Sequence, residues 1–168
     1  MCDIPAFERV AMGHLHEDMR EIAECGLPSA LEVMGERWSF MILRACFNGF
    51  RHFEDFQQQL GIARNILSNR LHRLVENGIL VREPVPGDRR RIEYRLTDKG
   101  IDLLPSLVAL RQWGEKYGAR VPSSLTIVDA RDRRPIAQVQ LHAEDGRPLR
   151  YEELDWEESD NVSKGANP

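Results

Sequence analysis

Asn65, Ser68, Asn69, His72 and Glu76 have the types and spacing to read a polar surface. At 100° per residue they fall on one side of a helix, while Leu67, Leu71 and Leu74 fall on the other. The outer side is short, polar and mostly uncharged, rich in groups that both donate and accept hydrogen bonds. Such a face suits base edges in a DNA major groove, which admits one α-helix. Arg64, in the first turn, adds a cation suited to a phosphate or a guanine. Taken alone, the same pattern also describes an ordinary solvated helix.

The segment just C-terminal to this helix shifts the balance. Residues 80–85 and 91–96 are β-rich, and Pro86-Gly87-Asp88 between them supplies turn chemistry. The resulting hairpin carries Arg89, Arg90 and Arg91 at its tip and on its returning strand. A basic hairpin edge can simply resist aggregation. Beside a polar helix it becomes the layout of a winged helix-turn-helix, in which the helix reads bases and the wing grips phosphate or the minor groove.

Charge supports this once it is divided along the chain. The 168 residues carry a net charge of −4. Residues 1–24 hold 2 basic and 6 acidic side chains, residues 25–96 hold 11 and 8, and residues 97–168 hold 10 and 13. The basic excess therefore coincides with the helix and hairpin, and distribution matters more than the total. Cys2, Cys25 and Cys46 make neither a disulfide framework nor a zinc spacing, and no P-loop, GxSxG or HExxH occurs. His14, His16, Glu17 and Asp18 lie together without a convergent nucleophile or metal set. No catalytic residue, metal or cofactor is expected. With no run of eighteen apolar residues and no signal-peptide pattern, a soluble, cytoplasmic protein is expected.

The elements that must position these residues can be placed along the chain. Residues 6–24 suggest a polar helix with a narrow stripe of Leu15, Met19 and Ile22, suited to a partner rather than a core. Cys25-Gly26-Leu27-Pro28 breaks it, and Ser29 can cap a short helix through Gly35 with Leu31, Val33 and Met34 inward. WSFMILRACF, from Trp38 to Asn48-Gly49, reads as the buried helix. A helix between Phe50 and Leu60, a turn at Gly61-Ile62 and a helix to Asn77 complete the helix-turn-helix. After the wing, Thr97 and Asp98 can cap a long helix to about Tyr117, which Pro105 should kink or delay. Its stripe of Leu103, Leu107, Leu110 and Trp113 could cover an internal core, but pairing with the same helix and the N-terminal helix of a second subunit is the better reading.

The order of Cys25, Ala30-Leu31-Glu32-Val33, Trp38, Arg51-His52-Phe53, Gly61-Ile62, Arg70-Leu71, Asn77-Gly78-Ile79, Glu93-Tyr94, Leu96-Thr97, Gly100 and Trp113-Gly114 resembles the HxlR-type regulators. These are bacterial winged helix-turn-helix transcription factors distantly related to the MarR group. The resemblance covers roughly residues 25–117. It implies a homodimer on an operator of two half-sites, and a cysteine at the place of Cys25 that can sense oxidants or electrophiles. Two departures stand out: Ala63-Arg64 replaces a common Ser-Pro, and the wing PVPGDRRR is not the frequent proline-rich version. For Cys25 itself, nearby Glu21 and Glu24 oppose thiolate formation while a following helix N-terminus favours it, so sensing and packing both stay open.

Beyond residue 120 a short pattern repeats. Ala130-Arg131-Asp132-Arg133-Arg134-Pro135-Ile136 and Ala143-Glu144-Asp145-Gly146-Arg147-Pro148-Leu149 are offset by thirteen residues. Their turn residues between β-rich runs suggest hairpins, with chance similarity as the rival. The expected fold is mainly α with small β: an N-terminal helix (1–24), a winged helix-turn-helix (25–97), a dimerisation helix (98–120), a β extension (121–151) and a disordered tail (152–168). The expected partners are double-stranded DNA and a second copy of the chain, with an electrophile or small-molecule effector left open. A winged-helix module that binds only protein is the alternative.

Overall fold

The structure is a computed structural model that describes residues 25–118 and 125–155. The expected N-terminal helix, with Leu15, Met19 and Ile22, lies outside the described residues, as do most of the expected tail and Cys2. Two units are present, residues 25–139 and, among the described residues, 140–155.

The first unit is a helical domain with one hairpin. Its elements are α1 (Gly26–Met34), α2 (Arg37–Phe47), α3 (Phe53–Leu60), α4 (Arg64–Glu76), β1 (Leu80–Val85), β2 (Asp88–Leu96), α5 (Asp98–Ile101) and α6 (Leu104–Tyr117). The apolar WSFMILRACF run forms α2, and its Ile42 and Leu43 are fully buried. Around them pack Phe56 of α3, Leu67, Leu71 and Leu74 of α4, and Ile79 and Leu80 at the base of the hairpin. Each such side chain contributes roughly 1.5–3 kcal/mol on leaving water, so the core lies where the two-faced helix was expected to turn its leucines.

Gly61 joins α3 to α4. It adopts φ +60°, a left-handed conformation that costs glycine little, and its N–H closes α3 on the Gln57 carbonyl. Gly100 serves close approach instead: a Cβ there would collide with the Ile79 carbonyl oxygen. The same carbonyl accepts the Thr97 N–H at 3.1 Å, while Thr97 Oγ1 accepts from Gly100 N and caps α5. This tight corner fixes the exit of the hairpin.

Four details differ from the sequence expectation. First, α1 begins at Gly26 with Cys25 as its N-cap residue, not at Ser29. Pro28 sits in the first turn, where an absent N–H costs nothing because that position has no helical partner. Second, Leu31 points outward rather than into the core. Third, the long C-terminal helix is two, α5 and α6, with Pro105 in the first turn of the second, which is the delayed start its ring imposes. Fourth, β2 starts at Asp88, leaving Pro86-Gly87 as the turn.

The repeated pattern is real as geometry. In the first copy Asp132 Oδ1 accepts the Arg134 N–H at 3.0 Å, and in the second Asp145 Oδ1 accepts the Arg147 N–H at 3.0 Å. The residues between, Arg133 and Gly146, are both left-handed, at φ +62° and +84°. Each copy closes through a single antiparallel bridge, Val128 with Pro135 and His142 with Pro148. The extension is thus two bridged turns rather than a continuous sheet, since proline at each bridge removes a ladder donor. In the first unit, Gln112 of α6 holds this segment by donating to the Ala137 carbonyl and accepting the Val139 N–H. Glu152 and Glu153, assigned to the tail by composition, instead form a 3₁₀ turn in which Arg150 N–H donates to Glu153 at 2.8 Å.

Candidate nucleic-acid interface

The helix-turn-helix is α3, Gly61-Ile62-Ala63 and α4. Leu67, Leu71 and Leu74 anchor α4, which leaves Arg64, Asn65, Ser68, Asn69 and His72 exposed along one side. The remaining cations of α4 are engaged inward. Arg70 pairs with Glu36, and Arg73 donates to the Glu32 carbonyl at 2.9 Å. The outer side is therefore left to small amide and hydroxyl groups, with His72 3.1 Å from Glu76 at its far end.

The start of α4, where Ala63-Arg64 stands in place of Ser-Pro, has no hydroxyl to offer. Ala63 is the N-cap residue and makes no side-chain cap. Arg64 places a cation at the positive end of the helix, which the dipole disfavours, and its guanidinium lies 4.8 Å from the Phe53 ring centre. Stacking on that ring face offsets part of the cost.

The wing is an antiparallel pair with a bulge. Leu80 pairs with Leu96, Arg82 with Tyr94 and Pro84 with Ile92, but Val85 pairs with Asp88. Arg89, Arg90 and Arg91 are therefore extra residues on β2 with no partner on β1. All three are exposed, and Asp88 Oδ1 accepts the Arg90 N–H at 3.1 Å. A bulge bends its strand and re-aims side chains, and here Arg90 and Arg91 line a cleft that Arg89 does not.

Between helix and wing lies a cleft of about 440 Å³ lined by Phe53, Glu54, Arg64, Arg82, Asp88, Arg90, Arg91, Ile92 and Tyr94. Four arginines against two carboxylates make it electropositive. Of the residues singled out from sequence, Arg64, Arg90 and Arg91 meet here. Asn65, Ser68, Asn69, His72 and Arg89 do not line the cleft, although all are exposed. Arg82 was missed. The signal was available in its register, because Leu80 faces the core and alternation puts Arg82 on that same side.

Two helices also expose apolar side chains. Leu27 and Leu31 of α1 are 63% and 53% exposed, and Leu110, Trp113 and Tyr117 of α6 are 52%, 62% and 65% exposed. Leu110 and Trp113 were expected there; Leu103 and Leu107 are half-buried, and Leu103 packs on the core. Cys25, at the head of α1, is exposed. Cys46 lies largely shielded in α2, and that burial pushes its thiol up to about 12. Among the described residues no helix is long and apolar enough to cross a membrane.

Comparison with known proteins fits this geometry. An uncharacterized HTH-type transcriptional regulator of Mycobacterium tuberculosis, Rv3095, is 50% identical over 88 residues, 52% of this chain and 56% of that protein. The chain thus spans little more than half of that relative's length. The crystal structure of PA1607, described as a candidate transcription factor, superposes with TM-score 0.75 at 42% identity, covering 82% of this chain and 96% of that one. The oxidised form of the redox regulator HypR superposes with TM-score 0.50 at 28% identity, over 55% of this chain and 96% of that one. Residues 33–122 match the HxlR-like helix-turn-helix family, and the resemblance carried by the motifs from Cys25 to Trp113-Gly114 is thereby borne out. With a winged helix-turn-helix in place and that match spanning α2 to α6, the chain belongs to the HxlR-like helix-turn-helix family.

Proposed function

We propose that the protein is a transcriptional regulator that binds operator DNA as a homodimer, reading bases with α4 and gripping the backbone with the wing. The observation that carries this is the juxtaposition in one domain of an exposed amide-rich helix face and an arginine-bearing bulge, with a basic cleft between α3, α4 and the wing. In this reading Asn65, Ser68, Asn69 and His72 meet base edges in the major groove. Arg64, Arg89, Arg90 and Arg91 neutralise phosphates. The exposed apolar faces of α1 and α6 form the two-fold contact, joined by Leu15, Met19 and Ile22 of the N-terminal segment.

The test is the salt dependence of binding. Each phosphate neutralised contributes about −0.9 to the slope of log affinity against log salt. Replacing Arg89, Arg90 and Arg91 with Ala should flatten that slope by several units in the dimer. An unchanged slope would put these arginines in solvent and leave a module that binds only protein.

A redox response belongs to the same reading. Cys25 is exposed at the head of α1, the helix that also carries Leu27 and Leu31. Alkylation or disulfide formation there would disturb the subunit contact and so the spacing of the two reading helices. The likeness to HypR, named a redox regulator, supports a redox response, and the exposure of Cys25 against the shielding of Cys46 favours Cys25 as the sensor.

A further inference from the structure

We propose that Glu93, acting through Arg51, is the positioning residue that sets the wing against the helix-turn-helix. This deepens the DNA-contact reading and rests on it.

The wing has two edges at its base. β1 occupies one, and on the other the Arg51 carbonyl accepts the Tyr94 N–H at 2.8 Å. Arg51 thus holds that edge by a single backbone hydrogen bond, and it immediately precedes His52, the N-cap residue of α3. His52 Nδ1 donates to the Ile92 carbonyl at 2.9 Å. Between these two contacts the Glu93 side chain is buried, with Arg51 Nη1 at 3.9 Å and Arg95 Nη2 at 2.5 Å.

A carboxylate in that place needs a reason. Glu83 lies directly across the ladder from Glu93, and like charges opposed on a sheet destabilise it. A hairpin base that needed only sealing would hold an apolar residue, because taking a carboxylate out of water is costly even when half-exposed arginines pair with it. What the pair supplies is direction. An isolated two-stranded hairpin is marginal and free to twist, and here three successive residues of β2, 92 to 94, are each tied to the two residues that lead into α3. Arg91, the last arginine of the bulge, adjoins this pinned stretch. The Arg95 hydrogen bond first, then the charges of Arg95, Arg51 and His52, holds the Glu93 carboxyl below the usual range against the opposing effect of burial. The carboxylate therefore stays charged and keeps its grip at neutral pH.

Glu93→Gln gives a test with a distinctive sign. Removing a negative charge from the wing would by itself raise affinity for DNA. Loss of positioning lowers it, and a fall of roughly tenfold is expected for a coupling of ordinary size. The measurement is affinity of the full chain for an operator selected from random duplex DNA, at fixed salt, with thermal melts alongside. Arg51→Met, at a surface side chain, is the second variant should Glu93→Gln fold poorly. In the Arg89/Arg90/Arg91→Ala background both changes should lose most of their effect, since there is no basic tip left to aim. Equal losses in both backgrounds, or affinity raised by Glu93→Gln, would overturn the proposal while leaving the wing as a DNA contact. Wild-type protein that selects no operator, or a triple variant that binds as well as wild type, would overturn the DNA-contact reading and this inference with it.

Discussion

The Arg64 guanidinium stacks over the Phe53 ring at 4.8 Å, tying the first turn of α4 to the first turn of α3 across the helix-turn-helix. Relatives of the resembled type often start this helix with a hydroxyl cap and a proline; here an uncapped Ala63 precedes a cation. The arrangement gives up helix stability at the N-terminus and places a charge in the cleft beside Arg82, Arg90 and Arg91.

Restoring the cap should therefore stabilise the protein. Ala63→Ser supplies an oxygen for the free N–H groups of α4, and such caps contribute about 1 kcal/mol. Thermal unfolding should shift upward by several degrees. A melting temperature that stays put or falls would mean that the N–H groups already have partners.

Gly100→Ala should act in the opposite direction. The added methyl would run into the Ile79 carbonyl and meet the Leu96 side chain 3.1 Å away. Neither the backbone nor the packed corner can retreat easily, so a loss of about 1–3 kcal/mol is expected in chemical denaturation. Stability equal to wild type would show that α5 shifts freely against the hairpin exit.

The two described cysteines should part company under alkylation. Burial raises the Cys46 thiol to about 12, so at pH 7 to 8 it stays protonated and shielded, whereas Cys25 is exposed. Mass spectrometry after brief iodoacetamide treatment of the folded protein should find Cys25 modified and Cys46 intact. Comparing operator affinity before and after a quinone or diamide, for wild type and Cys25→Ser, then decides whether that reactivity regulates. Equal affinities in all four conditions would reduce Cys25 to a structural role.

The apolar face of α6 makes a prediction about assembly. Leu110→Glu and Trp113→Glu change exposed side chains, so folding should survive while a two-fold contact should not. Sedimentation is expected to show a dimer for wild type and a monomer for the double variant, with much weaker operator binding. A wild-type monomer at micromolar concentration that still binds a palindrome tightly would contradict the proposed interface.

Much of this architecture was legible from residue types. The 3.6-residue spacing of Leu67, Leu71 and Leu74 located α4, and Pro86-Gly87-Asp88 located the wing turn to within one residue, because both signals are local. Features that escaped depend on partners distant in the chain. The bulge at Arg89–Arg91 is a matter of register between β1 and β2. The Glu93 carboxylate meets Arg51, far earlier in the chain, whereas Arg82 could have been placed by its alternation with Leu80. Pro28 misled because a proline that ends one helix equally suits the first turn of another. A pattern of so few residues is hard to tell from chance in sequence, yet both copies, at Asp132 and Asp145, fold alike, with Arg133 in a conformation its counterpart Gly146 adopts more cheaply.

The claim on which the rest depends is that the outward side of α4 reads bases. Selection from a random duplex library, followed by sequencing, measures it directly for wild type, Asn65→Ala and Asn69→Ala. Wild type should enrich an inverted repeat whose half-sites lie about one helical turn apart, near 34–36 Å. Each variant should lose preference at particular positions within the half-site, by roughly 1–3 kcal/mol for a bidentate amide contact, while binding as salt-sensitively as before. A selected motif identical in all three proteins would contradict the account.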